Sequence, residues 1–147
     1  MSNTKNVKRR IVDTNIIIRF ITNDPSNMAE QLNPYLQQVA DGTLIWVIDT
    51  MVVAESVWVL QTLKDAQGNK LYTKQQISQT LKKLIMTPGV ETAERNLLID
   101  TLNDYANCNV DFVDAYLAAK SRASGEDILT WNVNDFHRLG VTYDEPQ

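Results

Sequence analysis

A chain of 147 residues with a single cysteine, Cys108, and a single histidine, His137, lacks the side chains on which much protein chemistry rests. One cysteine cannot make an internal disulfide, and there is no Cys/His spacing from which a zinc site could start. Ser-His and Cys-His nucleophilic mechanisms lose support for the same reason, and His137 reads as a surface residue. The five glycines form no phosphate-cradling loop of the P-loop or dinucleotide type. The four prolines, at 25, 34, 88 and 146, are scattered, with no Pro/Gly-rich linker and no repeat. Residues 1–147 therefore read as one domain, with residues 1–7 expected to be flexible. A domain of this length buries roughly 70% of its unfolded surface. No window approaches the roughly 18 consecutive apolar residues of a membrane span, and "SNTKNVKRR" lacks the apolar core of an export signal. A soluble cytoplasmic protein is the expectation.

Positive charge is also scarce. A formal net charge of -4 and a pI near 4.9 argue against a general polyanion binder, whose affinity comes mainly from clustered Lys and Arg. Any contact with nucleic acid has to be local. The short basic groups Lys8-Arg9-Arg10, Lys82-Lys83 and Lys120/Arg122 read as solvated faces.

Short apolar runs alternate with helical periodicity. "RIV" (10–12) reads as a short buried strand, and the Ile triplet after Asp13 is ambiguous between strand and helix. Residues 26–41 have helical spacing behind a Ser26 cap, are divided by Pro34 into two short helices and stop at Gly42. "TLIWVI" (43–48) is the second strand. Asp49 or Thr50 then caps a helix from about 51 to 65, and Thr73 caps an amphipathic helix running to Pro88. An edge strand follows at 89–91, then helices in "TAERNLLIDTLNDYA" and "DFVDAYLAAKSRASG", the latter stopped by Gly125, and a late strand "DILTW". This alternation predicts an α/β fold with a short, mostly parallel central sheet flanked by helices.

Four polar features interrupt the apolar segments. Asp13 directly follows the first strand, at the carboxyl edge where open α/β sheets place their ligands, although it also suits a helix N-cap. Glu55 lies in the apolar helix "MVVAESVWVL", which predicts a partly buried functional carboxylate. Asp111 and Asp114 share one face near a helix start; a cap accounts for Asp111, whereas the apolar run after Asp114 turns that residue inward. The late strand ends in "ILTWNVNDF", with Thr130, Asn132 and Asp135. If these segments converge, the donors are all oxygen, which selects Mg²⁺ or Mn²⁺ over zinc and suits phosphoryl chemistry through a metal-bound hydroxide.

Those four features, "VDTNIIIRFI", the isolated Glu55, "DFVDAYLAA" and "ILTWNVNDF", resemble in order and spacing the PIN-domain ribonucleases, and within them the VapC-type toxins of toxin-antitoxin pairs. The resemblance covers nearly the whole chain. It implies an endoribonuclease with Asp13 and Asp114 as metal ligands and Glu55 as the third acidic member. The fourth family position, after a Thr in a Thr-x-Asp or Thr-x-Asn pattern, falls on Asn132 behind Thr130; either Asp135 substitutes there as the acid or Asn132 itself orients water or metal, and Asn15 and Thr130 support the site. The resemblance further implies a Mg²⁺ or Mn²⁺ cofactor, an RNA substrate, a homodimer and a cognate antitoxin whose basic side chain fills the acidic pocket. Alternatives are a PIN-like scaffold without catalysis, and an RNA-processing or DNA nuclease outside any toxin pair. A haloacid-type phosphatase would want a second Asp where position 15 is Asn.

Overall fold

The computed structural model describes residues 6–147, so most of the segment expected to be flexible lies outside the described residues. Strands β1 (Lys8–Ile11), β2 (Leu44–Val47) and β3 (Val90–Glu91) form a parallel sheet in the order β1-β2-β3. Lys8 through Ile11 lie opposite Leu44 through Val47, and Trp46 and Val47 opposite Val90 and Glu91. β3 is thus the edge strand expected at 89–91. A second parallel ladder pairs β4 (Ile128–Leu129) with β5 (Tyr143–Asp144). β4 is shorter than "DILTW", and β5 has no counterpart among the sequence expectations.

Eight helices complete the described residues: α1 (Thr14–Thr22), α2 (Ser26–Glu30), α3 (Asn33–Ala40), α4 (Thr50–Thr62), α5 (Lys74–Ile85), α6 (Arg95–Asn107), α7 (Phe112–Ser124) and α8 (Val133–Arg138). The Ile triplet is helical because Asp13 takes extended backbone geometry and its carboxylate accepts from the Thr14 N–H at 2.7 Å. The break between α2 and α3 falls at residues 31–32, with Pro34 in the first turn of α3, where its missing N–H costs nothing. Ser26 is not a cap: it is the first residue of α2, behind Pro25. Asp49 caps α4, its carboxylate accepting from the Met51 N–H at 2.9 Å, and Thr73 and Gln76 close a capping box on α5. Asp111 takes the N-cap position of α7 but makes no side-chain cap bond, contrary to the expectation for it.

The first strand departs from the sequence reading. Residues 8–11 are all exposed, Ile11 to 80%, and only Val12 beyond the strand is buried. β1 is an edge of the sheet, with a partner on one side only among the described residues, and Ile11 points away from the core that the next residue, Val12, enters. The neighbouring β2 alternates, with Leu44 and Trp46 buried, Ile45 and Val47 half-buried, and Trp46 meeting Phe20 of α1 edge-to-face at 6.1 Å. The buried apolar residues form one contiguous cluster, from Val12 and Ile17 through Val53, Val57 and Leu60 to Leu98, Leu102 and Ala115. Ala115 and Ala118 keep the α7 face small against α6, and the Ser78 hydroxyl of α5 donates to Leu102 O of α6 at 2.8 Å.

The turn into β3 tests this packing. Gly89 has φ +89°, its carbonyl accepts from the Trp46 N–H at 2.9 Å, and an added Cβ would stand 2.7 Å from Val39 Cγ1 and 3.1 Å from Val39 O. Gly42 has φ +76° with nothing within 4 Å of such a Cβ. Gly42→Ala is expected to cost about 1–2 kcal/mol for its left-handed backbone. Gly89→Ala adds about 1–3 kcal/mol of overpacking. Equal losses for the two in urea denaturation would contradict the packing described.

Candidate active site

Helix starts bring the site together. Residue Asn132, the N-cap position of α8, donates through one side-chain amide nitrogen to Asp114 Oδ2 at 3.2 Å and to Asp135 Oδ2 at 2.8 Å. Its own backbone N–H is turned by the Thr130 hydroxyl oxygen, which accepts at 2.8 Å, so the Thr-x-Asn spacing aims the amide. Asp114 sits in the first turn of α7 and is half-buried; Asp135 sits in the first turn of α8, with Arg138 one turn on and paired to it at 2.8 Å. Asn132 and Asp135 both stand at Asp114.

The electrostatics of this trio are unbalanced. Burial pushes the Asp114 carboxyl above its ordinary value, and its hydrogen bond with Asp135 and repulsion from Asp135 and Asp111 push it further, against the opposing hydrogen bond from Asn132. A cation stands nearby. Lys74, at the start of α5, donates to Val110 O at 2.8 Å and lies 4.6 Å from the centre of the Tyr105 ring. Burial lowers its pKa, while attraction to Asp111 and Asp135 raises it.

The other expected site residues stand apart. Asp13 is exposed and is held by its own Thr14 N–H. With Asn15 it opens on a cleft of about 580 Å³ between Arg10 and Arg19, whereas Asp114 lines a different cleft of about 340 Å³ between α4 and α7. Glu55 is exposed, not partly buried as its apolar neighbours suggested, because α4 turns Val53, Ser56, Val57 and Leu60 inward and leaves position 55 outside that face. No hydrogen bond or ion pair among the described residues joins Asp13 or Glu55 to the trio, and none of these residues forms a group of three or more His, Cys, Asp or Glu side chains able to hold a metal ion. The bearing elements are nonetheless neighbours, α1 packing on α4, α4 on α7, and α7 on α8.

Sequence reasoning missed three contributors. Arg138 was findable from its i,i+3 spacing to Asp135 had α8 been anticipated. Lys74 and Glu94 gave no local signal. Glu94, just beyond β3, accepts from the Thr50 hydroxyl at 2.6 Å and the Tyr116 hydroxyl at 2.9 Å, bracing α4 and α7 against the sheet edge. Of the basic groups, Arg9 pairs with Glu91 at 2.7 Å, and Arg122 with Asp100 and Asp104 at 3.0 and 2.6 Å. His137 is exposed.

A family model for the PIN domain matches residues 10–141, from within β1 to beyond α8. The chain belongs to the PIN domain family. PIN domains are generally nucleases, so this is a nuclease-type fold, and the parallel sheet flanked by helices is the architecture expected. No curated protein and no solved structure matches the chain significantly. No helix of this PIN domain, among the described residues, is long and apolar enough to cross a membrane.

Charge at Asp114 gives a stability prediction. Its folded-state pKa lies above the unfolded value near 3.9, so the folded protein bears a cost once pH exceeds that range, and none below it, where the carboxyl is protonated in both states. Asp114→Asn keeps an acceptor for Asn132 and removes the charge. In EDTA at pH 7 the variant is expected to melt above the wild type, with the difference vanishing by about pH 3. A variant that melts below the wild type at pH 7 would contradict the unbalanced charge.

Proposed function

We propose that this PIN domain is a Mg²⁺- or Mn²⁺-dependent endoribonuclease, the toxin of a toxin-antitoxin pair. The observation that carries the reading is the Asp114–Asn132–Asp135 trio, a half-buried carboxylate held beside a second one with an amide between them. The two carboxylates offer oxygen donors only, which suit a hard divalent cation. Asp114 and Asp135 would hold it, Asp13 being the further ligand that the family resemblance implies and Glu55 the third acidic member. When bound, such an ion supplies a hydroxide nucleophile and neutralises phosphate charge.

The chain's own residues supply the rest. Asn132 fixes the two carboxylates relative to each other, Thr130 fixes Asn132, and Arg138 holds the outer oxygen of Asp135. The exposed Asn15 stands beside Asp13, where it can orient substrate. The toxin reading brings with it a homodimer, a cytoplasmic location and a cognate antitoxin, whose arginine would pair bidentately with Asp114 and Asp135.

One observation favours a second reading, a PIN scaffold without catalysis: Asp13 and Glu55 lie outside the hydrogen-bonded trio. Cleavage decides between them. Purified protein with structured RNA is expected to cut in Mn²⁺ or Mg²⁺ and to stop in EDTA, and Asp13→Asn, Glu55→Gln and Asp114→Asn are each expected to lower kcat/KM by about a hundredfold or more with the circular dichroism spectrum unchanged. Cleavage that survives chelation refutes the metal mechanism; a folded protein inactive on every RNA in both metals supports the scaffold.

A further inference from the structure

Beside Asp114 lies a cleft that the trio does not use. It opens between α4 and α7, holds about 340 Å³ and is lined by Val57, Trp58, Gln61, Asp111, Val113 and Asp114 among others. That volume is at the small end of the roughly 300–1,000 Å³ of small-ligand clefts. Trp58 is 62% exposed, and no aromatic or cationic partner covers its indole among the described residues. An uncovered tryptophan on a cleft wall, with Val57 and Val113 for apolar neighbours, is a stacking platform for a flat ring.

The polar groups in the cleft are specific. Gln61 Oε1 accepts from the Tyr105 hydroxyl at 2.8 Å, which leaves the Gln61 amide NH₂ as a free donor pair. Asp111 stands at the N-cap position without capping, so both of its oxygens are acceptors free of the helix, and the charge of Lys74 attracts it. A two-oxygen acceptor beside an amide donor complements a ring edge bearing two adjacent N–H donors and one carbonyl. Among the four RNA bases only guanine has that edge, in N1–H, N2–H and O6; adenine and cytosine offer an exocyclic amine beside a ring acceptor, and uracil a single N–H between carbonyls.

We infer that the cleft between α4 and α7 is a guanine-binding subsite, with the base stacked on Trp58, its N1–H and N2–H donating to Asp111 and its O6 accepting from Gln61. The subsite rests on the nuclease reading for its purpose: Asp114 on the same cleft places the nucleotide's phosphate beside the carboxylate pair. It requires an unpaired guanosine, since a base-paired one presents neither its face nor that edge.

Mononucleotide binding tests this apart from catalysis. In Mg²⁺, which screens the phosphate from the carboxylates, and with mononucleotides, which have no phosphodiester to cleave, GMP, AMP, CMP and UMP are titrated by calorimetry into wild type, Trp58→Leu and Asp111→Asn. GMP is expected to bind about tenfold or more tighter than the other three. Trp58→Leu is expected to weaken GMP by about tenfold, and Asp111→Asn to bring GMP within about threefold of AMP. Equal affinities for all four nucleotides in the wild type overturn the subsite, as does a preference that neither variant alters. Chromatography on the same proteins covers the remaining occupant: if Trp58→Leu dissociates a wild-type dimer and leaves GMP binding unchanged, the indole belongs to an interface between copies and the inference is wrong. Absence of RNA cleavage does not enter these outcomes, so the two readings fail separately.

Discussion

Parallel strands cannot be joined by a hairpin, so the chain crosses back through helices between β1 and β2 and between β2 and β3, and all three strands end at the same edge. That constraint puts the starts of α1, α4 and α6 at one edge of the sheet, and each start bears an acidic residue: Asp13, Asp49 and Glu94. Two of them cap their helices with a side-chain oxygen; Glu94 instead reaches sideways to Thr50 and Tyr116 and binds α7 to the same edge. α7 then presents Asp114, and Asn132 beyond β4 bonds to it. The acidic character of this edge follows from helix ends that need acceptors as much as from any chemistry there.

Function has to be sought where acidity exceeds what capping requires. Asp13 and Asp49 each have a backbone N–H to satisfy, and Glu94 has two hydroxyl donors. Asp114 has none of these. It is half-buried, receives one amide hydrogen bond and faces two further carboxylates, so burial and repulsion together raise its pKa. A protein keeps such a charge at a cost in stability, and in the proposed function a cation, alone or with a phosphate-bearing substrate, would relieve it. Lys74, held by Val110 O and the face of Tyr105, is attracted to Asp111 and Asp135, the two carboxylates that repel Asp114.

The fold was legible because its signals are local. Thr73, Gly42, Gly125 and the β-branched run of β2 each mark an element by their own chemistry. Burial was less legible, being set by partners far along the chain. Ile11 looks like core in a run of apolar residues yet is exposed, while its neighbour Val12 points into the core. Glu55 looks enclosed in sequence, yet helical rotation carries it off the buried face of α4. In the candidate site, the Thr130-Asn132 spacing correctly marked a polar turn, but α8 was too short and too polar to announce itself, so the geometry that lets Asn132 and Asp135 act together could not be read. The convergence of Asp13, Glu55 and Asp114 came from the family resemblance, and only Asp114 joins the hydrogen-bonded trio.

The central claim is that the carboxylate pair at the starts of α7 and α8 is where a divalent cation binds. Paramagnetic broadening by substoichiometric Mn²⁺ in the ¹H–¹⁵N spectrum of the metal-free protein tests it most directly, because the ion broadens only the amides around it. The account predicts that the amides of residues 111–115 and 132–136 disappear first and that Asp114→Asn abolishes the effect. Broadening centred on another part of the chain, or unchanged in Asp114→Asn, would contradict it.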